Sequence, residues 1–375
     1  MSSRATASLP LLDQRTLNRA LLDRQMLLER ARLPVADAVE HLVGLQAQAP
    51  WSPYYALWAR LEAFDPHELG ALLTERRAVR IVIMRGTVHL VSADDCVYLR
   101  PLHEGFLARG LETSAWRSGL AGLDLDEVVS AGRALVEDEP LAFRELGVRL
   151  AQRWPGRDPA SLAQVVRARA PLVQIPPRAV WGKAGQVTVT TAEHWLGRPL
   201  ESDPSPEQMV VRYLAAFGPA SVMDLQTWSG LTRLREITHR MASRLRRYRN
   251  EAGRELLDLP DRALPDPDVP APVRFLPDFD NVLLSHADRT RIVDDDVRKR
   301  LQTSNGVLPG TVLVDGRVAA SWAIERDKRV ATLVVTPFAP LSRAVPQAVV
   351  TEGEALLAFG AAGAETHDVR IAPPG

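Results

Sequence analysis

The chain has a single cysteine among its 375 residues and no run of 18 apolar residues. Cys96 cannot form an internal disulfide, and its apolar neighbours favour a role in core filling. The missing apolar run excludes a membrane-spanning helix. The first six residues form a short polar segment that lacks the apolar stretch of a signal peptide, so we expect a cytoplasmic protein.

Lysine is also scarce, and the chain has no net charge. Only Lys183, Lys299 and Lys328 occur, so 43 of the 46 basic residues are arginine. A formal charge of zero excludes a uniformly basic nucleic-acid binder, and the positions where arginines cluster therefore carry more information than their number.

Signatures of common cofactors are missing as well. No glycine-rich loop ends in lysine, which leaves ATP dependence without support. No Cys/His cluster suits zinc or an iron–sulfur centre, and the aspartates between 278 and 296 show no matched geometry for a metal-dependent nuclease. We expect no cofactor and no metal. Histidines without metal-ligand spacing are His41, His67, His103, His194, His239, His286 and His367.

Residues 205–260 carry the clearest fold pattern. Pro206 begins a helix, Ser221 caps a short second helix, and a turn at Gly230 leads to a third helix capped by Thr232. Two strands around 251–253 follow, which completes a winged helix-turn-helix pattern. Seven arginines and one acid between 233 and 249 predict contacts with DNA phosphates, although a solvated basic face is the alternative. The predicted DNA-binding residues are Arg233, Arg235, Arg240, Arg244, Arg246 and Arg247.

The same order of elements occurs twice earlier. Helices at about 16–30, 34–45 and 53–63 and a helix capped by Asp65 precede a hairpin around Arg85-Gly86, and Ser92 caps the helix that follows. A weaker copy has helices at 124–137, 142–153 and 161–169 before a hairpin at 180–190. We therefore predict winged-helix units at residues 10–110, 111–200 and 201–262.

The remainder of the chain is richer in strands. Residues 260–272 contain five prolines and three aspartates, a composition typical of a linker. Asp315-Gly316 signals a hairpin, and a helix at about 343–359 precedes a last strand at 366–371. These patterns predict a β-rich domain at residues 273–375.

The most informative short segment is Gln46-Ala47-Gln48. Pro50 disfavours helix at the preceding residue, so the helix from Pro34 should end near 45–47. Residues two apart share a face only in an extended segment, and the two amides can therefore converge where the helix stops. A pair of amides can hold a water or a sugar-phosphate group. The alternative is a polar helix end that faces solvent.

The wing of the first unit supplies further candidates. Thr87 and His89 alternate onto one face of a strand, so both can point toward a cleft while Val88 and Leu90 point to the core. We expect Thr87, His89 and Arg85 to contact a lesion or the DNA backbone. Local hydrogen bonding of the hydroxyl and the imidazole is an equally acceptable explanation.

Four motifs together resemble the winged-helix DNA glycosylases of the AlkZ-like type: Gln46-Ala47-Gln48, the helix at 53–61, Met84-Arg85-Gly86-Thr87-Val88-His89-Leu90-Val91, and Phe275-Leu276-Pro277-Asp278-Phe279-Asp280-Asn281. The resemblance extends from about residue 12 to 371. It implies an α+β protein in which three tandem winged helix-turn-helix units surround a concave DNA channel, with a C-terminal β-barrel-like domain. It also implies catalysis by Gln46 and Gln48. The Gln-hydrophobic-Asp form of the motif, typical of a broader-specificity branch, is not present.

The expected activity is that of a monofunctional DNA glycosylase for bulky or cationic N7-alkylated purines, including interstrand crosslinks formed by DNA-alkylating natural products. An N7-alkylated guanine is cationic and leaves without a general acid, so neutral amides suffice to place water against C1′ and support the sugar cation. The expected partner is double-stranded DNA that carries alkylated purines, bound by a monomer and not by a membrane. The alternative function is a non-catalytic winged-helix DNA-binding regulator, which would usually dimerise on half-sites.

Overall fold

The computed structural model describes residues 9–113, 115–301 and 308–375. Residues 1–6, for which no signal peptide is expected, lie outside the described residues. Among the described residues, no helix is long and apolar enough to cross a lipid bilayer.

Helices and strands mix throughout the described chain. The helices are α1 (Gln14–Arg24), α2 (Val35–His41), α3 (Ser52–Arg60), α4 (Pro66–Thr74), α5 (Ala93–Leu102), α6 (Glu104–Glu112), α7 (Leu125–Asp138), α8 (Phe143–Arg153), α9 (Pro159–Arg169), α10 (Ala192–Leu196), α11 (Pro206–Phe217), α12 (Val222–Ser229), α13 (Leu234–Arg240), α14 (Asp295–Leu301) and α15 (Val345–Gly360). The strands are β1 (Leu11–Leu12), β2 (Leu45–Gln46), β3 (Ala78–Val82), β4 (Val88–Ser92), β5 (Leu172–Gln174), β6 (Val189–Thr191), β7 (Arg246–Asn250), β8 (Glu255–Asp258), β9 (Arg274–Leu276), β10 (Gly310–Val314), β11 (Arg317–Asp327), β12 (Val330–Pro337) and β13 (Thr366–Ile371). The α+β class predicted from the sequence is confirmed.

Helix starts follow the capping residues that the sequence shows. The side chains of Asp65 and Ser92 accept backbone hydrogen bonds at the starts of α4 and α5. Ser221 and Asp224 form a reciprocal capping box at the start of α12. Each cap satisfies backbone N–H groups that the first turn of a helix leaves unpaired, which is why the sequence alone located these starts.

Helix ends were predicted less well. The helix expected to end at about 45–47 ends at His41, because Val43 and Gly44 both have left-handed backbone angles, φ 54° and 85°. A side chain at Gly44 would lie 2.6 Å from Val91 Cγ1, so the close approach of β4 requires glycine there. Similarly, α1 ends at Arg24 rather than Arg30, and Met26 is left-handed.

The first sheet has the order β2-β4-β3-β5-β6. The hairpin of β3 and β4 around Arg85-Gly86 is confirmed, and Arg80 pairs with Gln174 where β3 meets β5. The hairpin predicted at 180–190 is wrong: β5 and β6 pair at 172–174 and 189–191, with no strand at 182–188. This sheet joins strands from both sides of the boundary predicted at residues 110–111.

The elements predicted at 206–259 are present as α11, α12, α13 and the hairpin of β7 and β8. Thr232 does not cap α13; the residue before the helix is Arg233, which has left-handed φ 64° and no capping side chain. β1 extends this hairpin by pairing parallel to β7, with Leu11 beside Arg249.

The last sheet has the order β13-β12-β11-β10-β9, and α15 packs on it. Its end strands β9 and β13 each have a single neighbour, so the described sheet is open and the expected barrel-like closure is wrong. Closure would require β9 to pair with β13, and β9 instead ends the order beside β10. The winged-helix units, their boundaries and the DNA channel remain predictions.

Candidate active site

Gln46 and Gln48 contact each other at the end of β2. The Gln46 Nε2 atom lies 3.3 Å from Gln48 Oε1. Gln46 is only 6% exposed, Gln48 is exposed, and Ala47 between them is fully buried in the core. Gln46 is the last residue of β2, and Gln48 lies in the bend that follows. The amides therefore meet as expected, but just after a short strand rather than at a helix end.

Arg85 lies on the other side of the Gln46 amide. Its Nη2 donates to Gln46 Oε1 at 2.9 Å, and its Nη1 donates to the carbonyl oxygen of Trp228 at 2.6 Å. The backbone of Arg85 is left-handed, with φ 55°, in the turn between β3 and β4. Burial and, to a lesser degree, Arg289 lower the pKa of the Arg85 guanidinium to about 10, so it stays charged at neutral pH.

His89 is opposite Gln46 in the strand pair and is 1% exposed. Its Nε2 lies 3.3 Å from Arg85 Nη2, and its Nδ1 lies 3.0 Å from the Thr87 carbonyl oxygen. Because a guanidinium only donates, Nε2 must accept and the proton must be on Nδ1. Burial, followed by the charge of Arg85, holds the pKa of His89 well below its ordinary value.

The strand that carries His89 is buried on both faces, since Val88, Leu90 and Val91 are also buried. His89 is therefore covered by the protein rather than exposed, and its contact with a lesion or the DNA backbone stays a prediction. The Thr87 hydroxyl is partly exposed and donates to the Met84 carbonyl oxygen at 3.2 Å.

Arg80 is a site residue that the sequence analysis missed. Its Nη2 donates to the carbonyl oxygen of Ala47 at 2.6 Å, while the Ala47 N–H donates to Val88 at 2.8 Å. Burial, followed by the charge of Arg178, lowers the pKa of Arg80 to about 10. The backbone between the two glutamines is thus fixed from both sides. The only sequence signal for Arg80 was an arginine in the middle of an otherwise apolar strand pattern.

The Pro277–Asn281 motif holds the other side of the segment. The Asn281 side chain donates to the Gly44 carbonyl oxygen at 2.8 Å. Asp280 accepts two hydrogen bonds of 2.8 Å from Arg60, and neither side chain has exposed area. Asp278 accepts from Ser52 Oγ at 2.7 Å, and burial raises the pKa of its carboxyl. Asn281 therefore holds the backbone two residues before Gln46, while Asp280 neutralises the buried guanidinium of Arg60.

The predicted DNA-binding arginines are all exposed, and they fall into two groups. Arg233, Arg240 and Arg247 pair with the carboxylates of Glu236, Glu207 and Glu255. Among the described residues, Arg235, Arg244 and Arg246 have no carboxylate partner. Half of the predicted set therefore has an uncompensated positive charge.

An open groove of about 1310 Å³ lies beside this face. It is bounded by α12 and α13, the hairpin of β7 and β8, and the segment 287–298. Its lining includes five arginines and four acidic residues: Arg235, Arg247, Arg254, Arg289 and Arg298, and Glu236, Glu255, Asp288 and Asp295. The charge of Arg289 in this groove also contributes, after burial, to the lowered pKa of Arg85. No three His, Cys, Asp or Glu side chains of the described ranges are grouped to hold a metal ion.

Residues 39–359 match the protein family described as DNA glycosylase AlkZ-like. The chain belongs to this family. An AlkZ-like relative from Streptomyces sahachiroi, described as an interstrand DNA cross-link repair glycosylase, is 26% identical over 380 residues, 93% of this chain and 96% of the relative. The solved structure of Streptomyces sahachiroi DNA glycosylase AlkZ has a TM-score of 0.76 at 23% identity. It covers 96% of this chain and 100% of its own, and at that identity it shows the AlkZ fold.

Proposed function

We propose that this AlkZ-like protein is a monofunctional DNA glycosylase that releases N7-alkylated purines from double-stranded DNA. The observation that carries the proposal is the hydrogen-bonded pair Gln46–Gln48, whose outer member is exposed at the surface. A regulator would not require two amides that are hydrogen-bonded to each other beside the partly buried guanidinium of Arg85. Family membership also does not favour the regulator.

The chemistry needs little from the protein. The bond between C1′ and N9 breaks, and its electron pair neutralises the positive charge of the alkylated purine. A water molecule forms the new C1′–O bond and releases its proton to solvent. Gln48 Oε1 has a second lone pair with which to hold that water, and the amides support positive charge on the sugar.

The surroundings of the pair suit a leaving group that already has a positive charge. The nearest imidazole, His89, is neutral and donates its only N–H proton to the Thr87 carbonyl oxygen. It has no proton to give to a departing base. An unmodified purine usually needs such a proton, so we expect excision to be restricted to cationic lesions.

The nucleophile is water because the lysines are placed elsewhere. Lys299 pairs with Asp296, Lys328 lies in a turn between β11 and β12, and Lys183 is exposed in the segment between β5 and β6. None of the three contacts either glutamine. We therefore expect an abasic site as product, without strand cleavage through a lysine adduct.

Interstrand crosslinks fall within the proposed substrate range. The Streptomyces sahachiroi relative is described as an interstrand cross-link repair glycosylase. A crosslinked purine cannot rotate fully out of the duplex, and the exposed position of Gln48 permits attack on a base that stays in place. We also propose that α11–α13 with β7 and β8 form a winged helix, and that a monomer binds the duplex along the arginine-lined groove.

The test is incubation of the purified protein with duplexes that contain N7-methylguanine or an interstrand crosslink, followed by detection of abasic sites. We expect base release by the wild type. We expect the double variant Gln46→Ala/Gln48→Ala to release no more base than spontaneous depurination, with DNA affinity within about tenfold. Excision by the double variant at the wild-type rate would refute the glutamine assignment. No release by the wild type from any alkylated duplex would favour the regulator.

A further inference from the structure

We propose that Arg85 is a positioning residue that fixes the direction of both glutamine amides and presents the NH₂ group of Gln48 to the DNA. The catalytic consequence rests on the proposed function, whereas the direction of the amides is a property of the folded protein. Arg85 is thereby assigned an internal role in place of the lesion contact expected from the sequence.

The direction follows from which atoms can donate. A guanidinium has N–H donors and no acceptor, so the Gln46 atom 2.9 Å from Arg85 Nη2 must be oxygen. The other end of the Gln46 amide is then its NH₂ group, which faces Gln48 at 3.3 Å and donates. The Gln48 atom that receives this hydrogen bond must in turn be oxygen.

The outer face of the pair is thereby determined. The Gln48 NH₂ group has no hydrogen-bond partner among the described residues, and the side chain is exposed. Gln48 therefore offers two N–H donors and one remaining oxygen lone pair to whatever binds there. Donors of this kind suit a phosphate or sugar oxygen, and the lone pair suits a water.

Arg85 is itself held firmly, as a positioning residue must be. Its second amino group donates to the Trp228 carbonyl oxygen near the end of α12, at 2.6 Å. The neutral ring of His89 accepts from the same amino group that holds Gln46. A side chain at Gly230, directly after α12, would lie 2.9 Å from the ring of Phe106, so the turn is closely packed. With both amino groups engaged, Arg85 has no free donor pair for a DNA phosphate.

The first experiment compares Arg85→Ala with Arg76→Ala in single-turnover excision of N7-methylguanine. Arg76 is a matched control because it also has a left-handed backbone, φ 63°, and also donates to a tryptophan carbonyl oxygen, that of Trp195. We expect Arg85→Ala to lower the excision rate by about 10- to 100-fold, with DNA affinity within about twofold. We expect Arg76→Ala to leave both unchanged.

A double-mutant cycle separates positioning from structural damage. If Arg85 acts through Gln46, then Arg85→Ala has no further effect on excision in a Gln46→Ala background. An equal loss in both backgrounds, or a wild-type rate for Arg85→Ala, would overturn the proposal. Guanidinium ion added to Arg85→Ala should restore part of the rate, whereas ammonium at the same concentration should not.

The amide direction has a readout that needs no catalysis. In ¹⁵N NMR spectra of glutamine-labelled protein, the Gln46 NH₂ protons should exchange slowly and the Gln48 NH₂ protons quickly. Arg85→Ala should remove the protection at Gln46, while Arg76→Ala should preserve it. Protection at Gln48 instead of Gln46 would refute the direction. Failure of the wild type to release any base would refute the proposed function. The NMR measurement would still decide whether Arg85 fixes the direction of the amides.

Discussion

Arg80 donates to the carbonyl oxygen of Ala47, the residue between the two glutamines, across 2.6 Å. The guanidinium is 2% exposed, and its Nε and Nη1 atoms have no partner among the described residues. A buried cation without a facing carboxylate is costly for stability. Because Arg80 holds the backbone between Gln46 and Gln48, we infer that the unfavourable burial of its charge is tolerated for the function of the site.

We expect Arg80→Met to lower the excision rate clearly while changing the free energy of unfolding by no more than about 2 kcal/mol. The lost hydrogen bond destabilises the fold, but removal of a buried charge offsets that loss. Arg100→Met is the matched control, since Arg100 is also 2% exposed and donates to a backbone carbonyl, that of Ala168. Excision and urea unfolding should be measured for both. Equal rates for the two variants would show that Arg80 has only a structural role.

Replacement of Gln48 by glutamate should retain measurable excision of N7-methylguanine. A carboxylate at this position still accepts the hydrogen bond from Gln46 and can order water beside a cationic sugar. Gln46→Glu should be more damaging, because glutamate cannot donate to Gln48. Loss of one positioned amide is expected to raise the barrier by about 2–4 kcal/mol. Single-turnover rates of the two variants measure the difference, and a more damaging Gln48→Glu would contradict it.

Charge reversal at Arg244 should weaken binding to duplex DNA of any sequence and lower the salt slope by about one phosphate contact. Arg240→Glu should act in the same direction but less strongly. Arg240 is already neutralised by Glu207 at 2.6 Å, and its hydrogen bond lowers the pKa of that carboxyl. Fluorescence anisotropy at several salt concentrations provides the measurement, with Arg262→Glu in the predicted linker as control. Unchanged affinity at low salt for both variants would make this face structural.

Buried histidines predict a loss of stability in acid. Burial lowers the pKa of His103 to about 4, and it also holds the pKa of His89 well below 6.5. Both stay neutral in the folded protein while they become protonated in the unfolded chain. Unfolding therefore takes up protons as the pH falls below about 6.5, and each histidine reduces the free energy of unfolding by up to about 1.4 kcal/mol per pH unit.

Urea unfolding between pH 7.5 and 5 measures this slope. His103→Gln should reduce the slope, because it removes one of the groups that gain a proton. Thr190→Val is a suitable control, since Thr190 is fully buried, polar and unable to titrate. If His103→Gln left the pH dependence of the free energy of unfolding unchanged, His103 would have the same pKa in the folded and unfolded protein.

Local signals predicted local features of the molecule. The Ser221 capping box, the Asp65-Pro66 helix start and the Arg85-Gly86 hairpin each depend on residues a few positions apart. The meeting of Gln46 with Gln48 was also predictable, because it depends on two residues close in sequence at a point where the helix has already ended. The helix end at His41 was not, because the left-handed Val43-Gly44 turn responds to packing against Val91 rather than to Pro50.

Long-range contacts account for the remaining differences. Arg80 reaches Ala47, and Arg85 reaches Trp228, only after β3 and β4 have formed and α12 has packed beside them. The same holds for His89, whose alternating pattern in sequence does not show that both faces of β4 are covered. The open last sheet depends on which strands become edges, a property that strand patterns alone do not specify.

Pairing of β3 with β5 has a consequence for how such proteins can change in evolution. Strands from both sides of position 110 are hydrogen-bonded in one sheet. The first hundred residues therefore cannot be exchanged between homologous proteins as an independent unit. A fragment ending near residue 110 would expose the edge of β3, including Arg80 and Ile81, to pairing with other chains. Recombination in this region therefore has to transfer both strands together, and with them the arginine that holds the glutamine segment.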